Sequence, residues 1–159
     1  MIRAEALSFQ YGKQPPIFEN FTWQVKAGQS WAVIGASGCG KSTLLYLLAG
    51  LRQPTAGRLL INDQPALAPR PHTGLILQDY GLLPWANIRQ NVTLGLDLRR
   101  FYGPDGRHAP ADGLPVNAAQ LVSHWLDRLG IAAVADQYPG QLSGGQRQRA
   151  AIARTLVLE

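Results

Sequence analysis

Eight residues constrain this chain more than any others: Gly35-Ala36-Ser37-Gly38-Cys39-Gly40-Lys41-Ser42. They fit G-x-x-x-x-G-K-[ST] at every fixed position. Before them runs Trp31-Ala32-Val33-Ile34, a short apolar stretch bounded by glycine that reads as a fully buried strand. After them Lys41 to Ala49 reads as a helix, with Leu44, Leu45, Leu47 and Leu48 apolar and Gly50 at the stop position. The residue types suit phosphate. Glycines let backbone N–H groups converge on phosphate oxygens without a Cβ in the way. The helix start adds the positive end of its dipole. Lys41 balances the charge of the β- and γ-phosphates, and the Ser42 hydroxyl is a hard oxygen ligand for Mg²⁺. Thr43 joins the set in the same helical turn. Cys39 reads as a tolerated small residue of the loop, and as the only cysteine of 159 residues it excludes a disulfide framework.

The rest of the chain sorts into a β-rich start, a parallel-sheet α/β unit and a helical second half. Ala4, Ala6 and Ser8 interleave with Glu5, Leu7 and Phe9. Phe21, Trp23 and Val25 alternate with polar neighbours. Leu59 to Ile61 is a strand closed by an Asn62-Asp63 turn, and Leu75 to Leu77 is a third apolar run ending at Gln78. Helical pattern begins at Asn87. It is clearest from Val116 to Leu129, where Ala118, Leu121, Val122, Trp125, Leu126 and Leu129 share one face, and returns from Gln146 to Leu158. Residues 103–115 hold three glycines and three prolines and read as a surface loop. Charged residues are only 16%, which points to surface covered by partner subunits. The net charge of +5 comes from scattered arginines without a basic block, so no nucleic-acid partner is expected. No signal peptide and no membrane-length apolar run is visible, and the expected location is cytoplasmic.

A second motif follows about a hundred residues after the first: Leu142-Ser143-Gly144-Gly145-Gln146, then Arg147-Gln148-Arg149. Ser143 offers a hydroxyl, the two glycines expose N–H groups, and a helix start is aimed at whatever sits there. Together with the phosphate loop, this stretch resembles the signature motif of the ATP-binding-cassette (ABC) ATPases. The resemblance runs over residues 2–159. It implies an α/β fold: a P-loop core of ABC type with an N-terminal antiparallel β subdomain and a helical signature subdomain. It divides the chain at about residues 1–80 for the β subdomain and core and about 87–145 for the helical subdomain.

The resemblance also implies roles. Tyr11 would stack on adenine. Gln78 would be the Q-loop glutamine, reaching Mg²⁺ and the attacking water. Leu83-Pro84-Trp85 with Asn91-Val92 would face a transporter's coupling helix, or pack as a turn on the helical subdomain. Leu142 to Gln146 would close in trans over ATP held by Gly35 to Thr43 of a second subunit, most simply in a homodimer. The implied activity is ATP hydrolysis driving transport through separate permease subunits, with a substrate-binding protein as a further partner, on the inner face of the cell membrane. Leu82 to Trp85 is similar to nitrate, sulfonate and taurine importers. The alternatives are a soluble ABC ATPase acting on DNA or ribosomes, and a non-catalytic nucleotide-binding fragment. The family's apolar Asp-Glu strand and its switch histidine are not found after the signature. His72, His108 and His124 precede it. The C-terminal part of the core is therefore expected to be missing, and residues 1–159 alone are expected to hydrolyse ATP negligibly and to fold poorly.

Overall fold

The structure is a computed structural model that describes residues 1–70, 73–102 and 117–158. The Gly/Pro-rich stretch 103–115 and His72 and His108 lie outside the described residues. The chain divides into two compact units, Met1–Thr73 and Gly74–Glu159.

The first unit is a four-stranded antiparallel sheet with one helix. Strand β1 (Ile2–Phe9) pairs with β2 (Phe18–Val25) on one side and β3 (Ala56–Ile61) on the other. The short β4 (Gln64–Pro65) adds to β3, giving the order β2-β1-β3-β4. Helix α1 (Lys41–Leu48) buries Thr43, Leu44 and Leu47, and Leu47 joins Ala4, Leu7, Phe9, Leu59 and Ala66 in the core.

Strict alternation along β1 fails at one residue. Ala4 opposes Trp23 and Leu7 opposes Phe21, so β1 carries one residue more than β2 in that interval. The same excess appears against β3, between Glu5 opposite Arg58 and Ser8 opposite Ala56. Ala6 is the extra residue, with φ 46, and its N–H bonds to Thr22 Oγ1 at 3.1 Å. The bulge turns Ala4, Leu7 and Phe9 to one buried face, where the alternating pattern had set Ala4 opposite Leu7 and Phe9. Gly57 (φ 72) makes room for it, since a Cβ there would collide with the Ala6 carbonyl.

Two expected strands are not in a ladder. Trp31 to Ile34 belongs to no strand among the described residues. Ile34 is 91% exposed, and Trp31, 55% exposed, packs edge-on against Trp23. Leu75 to Leu77 is likewise outside any ladder, with Ile76 and Leu77 exposed. All strand pairs in the described residues are antiparallel, so the expected parallel sheet is not among them. An apolar run declares that a segment favours burial. It does not bring the neighbour whose N–H and C=O groups would make it a strand, and parallel neighbours are distant in sequence.

The second unit is helical. Its core joins Ile88, Val92 and Leu96 of α2 (Ile88–Tyr102), Val122 and Leu126 of α3 (Ala118–Arg128), and Ala150, Ala153 and Val157 of α4 (Gly144–Leu156), with Ile131, Ala135 and Leu142 between them. The alanines of α4 admit α2 closely. Among the described residues no helix is long and apolar enough to cross a membrane.

Asn91 and Val92 are completely buried, so neither faces a partner; of that neighbourhood Pro84 and Trp85 point outward. Asn91 ties the loop ahead of α2. Its Oδ1 accepts from Leu83 N–H at 2.7 Å, and its Nδ2 shares two protons among the carbonyls of Leu83 (3.1 Å), Ala86 (2.9 Å) and Asn87 (3.0 Å). Asn91→Ala removes those partners and leaves buried groups unsatisfied. Urea unfolding is expected to show a loss of about 2–4 kcal/mol; a loss below about 0.5 kcal/mol would remove Asn91 from this role.

Candidate functional site

Chemistry-bearing residues gather at two helix starts, one in each unit. At the first, Gly38 (φ 82) and Gly40 (φ 96) are left-handed, and the loop turns through them straight into α1. Gly40 is the N-cap residue. A Cβ on it would come 2.5 Å from Ile17 Cγ2, so glycine is required by space as well as by φ. No side chain caps α1, and no acid lies in its first turn. The N–H groups of its first turn are therefore left to an outside acceptor, and the dipole favours that acceptor being negative.

Lys41 folds back over this loop. Its ammonium donates to the carbonyls of Gly35 at 2.8 Å and Ala36 at 2.7 Å, with Cys39 Sγ at 3.7 Å. These are neutral acceptors, so a phosphate at the loop would offer the ammonium a stronger partner. Ser42 is exposed beside it. Tyr11 stands at the end of β1, edge-on to Phe9 with ring centroids 4.9 Å apart. Its hydroxyl is 3.5 Å from Thr43 Oγ1, which ties it to α1, and the Arg52 guanidinium lies 5.9 Å from its ring centroid. The structure thus brings Tyr11, Gly35 to Gly40, Lys41, Ser42 and Thr43 together on one unit.

The second helix start is Leu142 to Gln146. Leu142 is buried in the core. Ser143 caps α4: its Oγ accepts from Gln146 N–H at 3.3 Å, and Gln146 Oε1 accepts from Ser143 N–H at 2.9 Å. The box serves Gln146 and leaves the N–H groups of Gly144 and Gly145 without an intrahelical acceptor. Neither glycine is required by the fold. Neither has a positive φ. A Cβ on Gly145 would meet nothing within 4 Å, and one on Gly144 would meet only Tyr80 Oη at 3.9 Å. Glycine in a helix weakens it by roughly 0.5–1 kcal/mol relative to alanine. Neither φ nor space therefore accounts for glycine at these two positions.

Gln78 is exposed in a turn that follows the unpaired run Leu75 to Leu77. Two residues on, Tyr80 (φ 66) and Gly81 (φ 58) are both left-handed, a conformation that costs a tyrosine on the order of 1 kcal/mol. Arg154 of α4 holds this turn, and sequence reasoning had not singled it out. Its Nη1 donates to Gly81 O at 2.6 Å and its Nη2 to Tyr80 O at 2.9 Å. Desolvation by burial pushes its pKa below the ordinary arginine value. His124, the one histidine described, lies on α3 against Trp125. Among the described residues no group of three or more His, Cys, Asp or Glu could hold a metal ion. Within the first unit the Ser42 hydroxyl remains as an exposed oxygen donor at the start of α1. One such oxygen fits a Mg²⁺ carried in with a polyphosphate, because such an ion keeps waters and phosphate oxygens and needs only one or two protein ligands.

The model of the ABC transporter family matches residues 18–159. The aliphatic sulfonates import ATP-binding protein SsuB of Pseudomonas putida is 42% identical over 144 residues, covering 91% of this chain and 47% of that protein. The taurine import ATP-binding protein TauB of Pseudomonas aeruginosa is 38% identical over 161 aligned positions, covering 99% and 57%. The chain spans about half the length of these curated relatives. Among solved structures, a dimeric ATP-binding cassette in a post-hydrolysis state with ADP and inorganic phosphate aligns with a TM-score of 0.74 at 25% identity, covering 99% of this chain and 69% of that one.

Gly145→Ala is the substitution that separates fold from site. Because its Cβ has open space, thermal or urea unfolding is expected to show unchanged stability or a gain of up to about 1 kcal/mol. A clear loss would mean the fold itself requires this glycine.

Proposed function

The chain belongs to the ABC transporter family, and we propose that it supplies the ATP-binding part of an importer-type ATPase. The observation that carries this reading is the uncapped start of α1 beneath a lysine that has only neutral acceptors.

The loop amides from Gly35 to Gly40 and the first turn of α1 receive the phosphate oxygens of ATP. Lys41 leaves its two carbonyls for the β- and γ-phosphates. Tyr11 offers its ring to the adenine. Ser42 and Gln78 would hold Mg²⁺, which when bound neutralises charge on the phosphates. Gln78 orients the water that attacks the γ-phosphate in line, and hydrolysis releases ADP and phosphate.

The bare N–H groups of Gly144 and Gly145, with the Ser143 hydroxyl, cover the γ-phosphate of ATP bound to a second subunit. A two-fold, head-to-tail homodimer then holds two ATP molecules. That the similar solved cassette is a dimer bound to ADP and phosphate supports pairing of two nucleotide-binding chains. ATP binding closes the pair and hydrolysis lets it reopen. The names of the sulfonate and taurine relatives, both import ATP-binding proteins, support a role in import; in this reading the chain couples to permease subunits at the cytoplasmic face of the membrane, with a substrate-binding protein delivering cargo.

Lys41→Ala tests the phosphate loop. Loss of a charge-assisted contact of about 1.5–3 kcal/mol corresponds to roughly 10- to 100-fold weaker ATP binding by fluorescence titration. Equal affinities would sink the assignment. In the full-length protein, Gly145→Ala is expected to lower ATP turnover while stability is retained.

A further inference from the structure

Tyr11 leaves the end of β1 in a turn whose backbone is fixed from within. Its carbonyl accepts from Gln14 N–H at 2.9 Å, Gly12 is left-handed (φ 54), and Gln10 Nε2 donates to the Gly12 carbonyl at 2.9 Å. The ring is then met by three residues of the same unit. Phe9 meets it edge-on with centroids 4.9 Å apart, Thr43 Oγ1 lies 3.5 Å from its hydroxyl, and the Arg52 guanidinium carbon stands over the ring, 5.9 Å from its centroid. Arg52 comes from just beyond the far end of α1. Gly50 (φ 74) turns the chain there, where a Cβ would collide with the Ala68 carbonyl. The N–H groups of Leu51 and Arg52 then both reach Tyr46 O, at 2.9 and 3.3 Å. The hydroxyl and the face of the Tyr11 ring are thus held from the two ends of one helix, the helix whose first turn is open to phosphate. Arg52 is exposed, and among the described residues no carboxylate pairs with it. Its charge is left to the negative face of the ring.

We propose that Arg52 is a positioning residue for the nucleotide base: it occupies one face of the Tyr11 ring and fixes the ring's tilt, so that the opposite face is presented to adenine. This rests on the proposed role of Tyr11 in stacking on adenine. Arg52 touches neither base nor phosphate; it acts through the ring. A ring already held when the nucleotide arrives gives up less freedom on stacking, and that saving appears as affinity. Lysine reproduces the charge but not the planar group that packs on an aromatic face, so it serves the ring only in part.

The test compares affinities on the full-length protein, with Mg·ATP and inorganic tripolyphosphate as the two probes. Tripolyphosphate can reach the loop and Lys41 but has no base to stack. Arg52→Ala is expected to weaken ATP binding about two- to fivefold and to leave tripolyphosphate binding unchanged. Arg52→Lys is expected to fall between wild type and Arg52→Ala. In a Tyr11→Ala background, Arg52→Ala is expected to cost nothing further, because the ring through which it acts is gone. Unchanged ATP affinity in Arg52→Ala overturns the proposal, and so does tighter binding, which would put the guanidinium on the face the base needs. Equal weakening for both probes overturns it too, since that is the pull of a cation on phosphate. Should Arg52→Ala not fold, Arg52→Gln decides by the same comparisons. Tyr11→Ala alone reads the adenine role. Normal ATP affinity in that variant refutes the role and the proposal with it, whereas weakened binding there beside unchanged binding in Arg52→Ala refutes Arg52 alone.

Discussion

An anion is held by backbone N–H groups only where no side chain or carbonyl has claimed them first. Three helix starts in this chain differ on that point. At α2 the donors are spent: Ile88 and Arg89 give their N–H groups to the carbonyls of Gln137 and Ala135, and Asn87 and Gln90 cap each other. At α1 no side-chain cap exists. At α4 the Ser143–Gln146 box serves one donor and spares those of two glycines. Of these three, the two open starts are the ones assigned to phosphate and the closed one holds the helical unit together; α3 also lacks a side-chain cap, so it is the glycine-rich approach at α1 and the paired glycines at α4 that set these starts apart.

The open starts stay open because other residues hold them in place. In the first unit, the bulge at Ala6 turns Leu7 and Phe9 inward beside Leu47 of α1, and Phe9 in turn meets the edge of Tyr11. In the second, alanines on α4 let α2 approach, Asn91 fixes the loop before α2, and Arg147 donates to the Leu142 carbonyl just ahead of the Ser143 cap. The apolar burial of these cores supplies the stability that exposed glycines and left-handed residues subtract.

The sequence made the phosphate loop, α1, α3 and α4 readable because each rests on local pattern: glycine spacing, a 3.6-residue apolar stripe or a capping box. What it hid was non-local. One inserted residue at Ala6 reverses which side chains face in, and no local signal marks it. Trp31 to Ile34 and Leu75 to Leu77 have strand composition, yet a ladder needs partners that composition does not name. Asn91 was readable in principle, as a polar residue on the stripe of Ile88, Val92 and Leu96. Arg154 was not, because its acceptors lie 73 and 74 residues away and are backbone carbonyls, which any sequence possesses.

The central claim is that one ATP is completed by two chains, one giving Lys41 and the other giving Gly145. Full-length subunits carrying Lys41→Ala can be mixed with subunits carrying Gly145→Asp, each inactive alone. Random pairing makes about half the dimers mixed, and each mixed dimer has one intact composite site. ATP turnover is therefore expected to recover to roughly a quarter of the wild-type value. Mixed dimers shown to form, but with no turnover above either parent, would contradict the account.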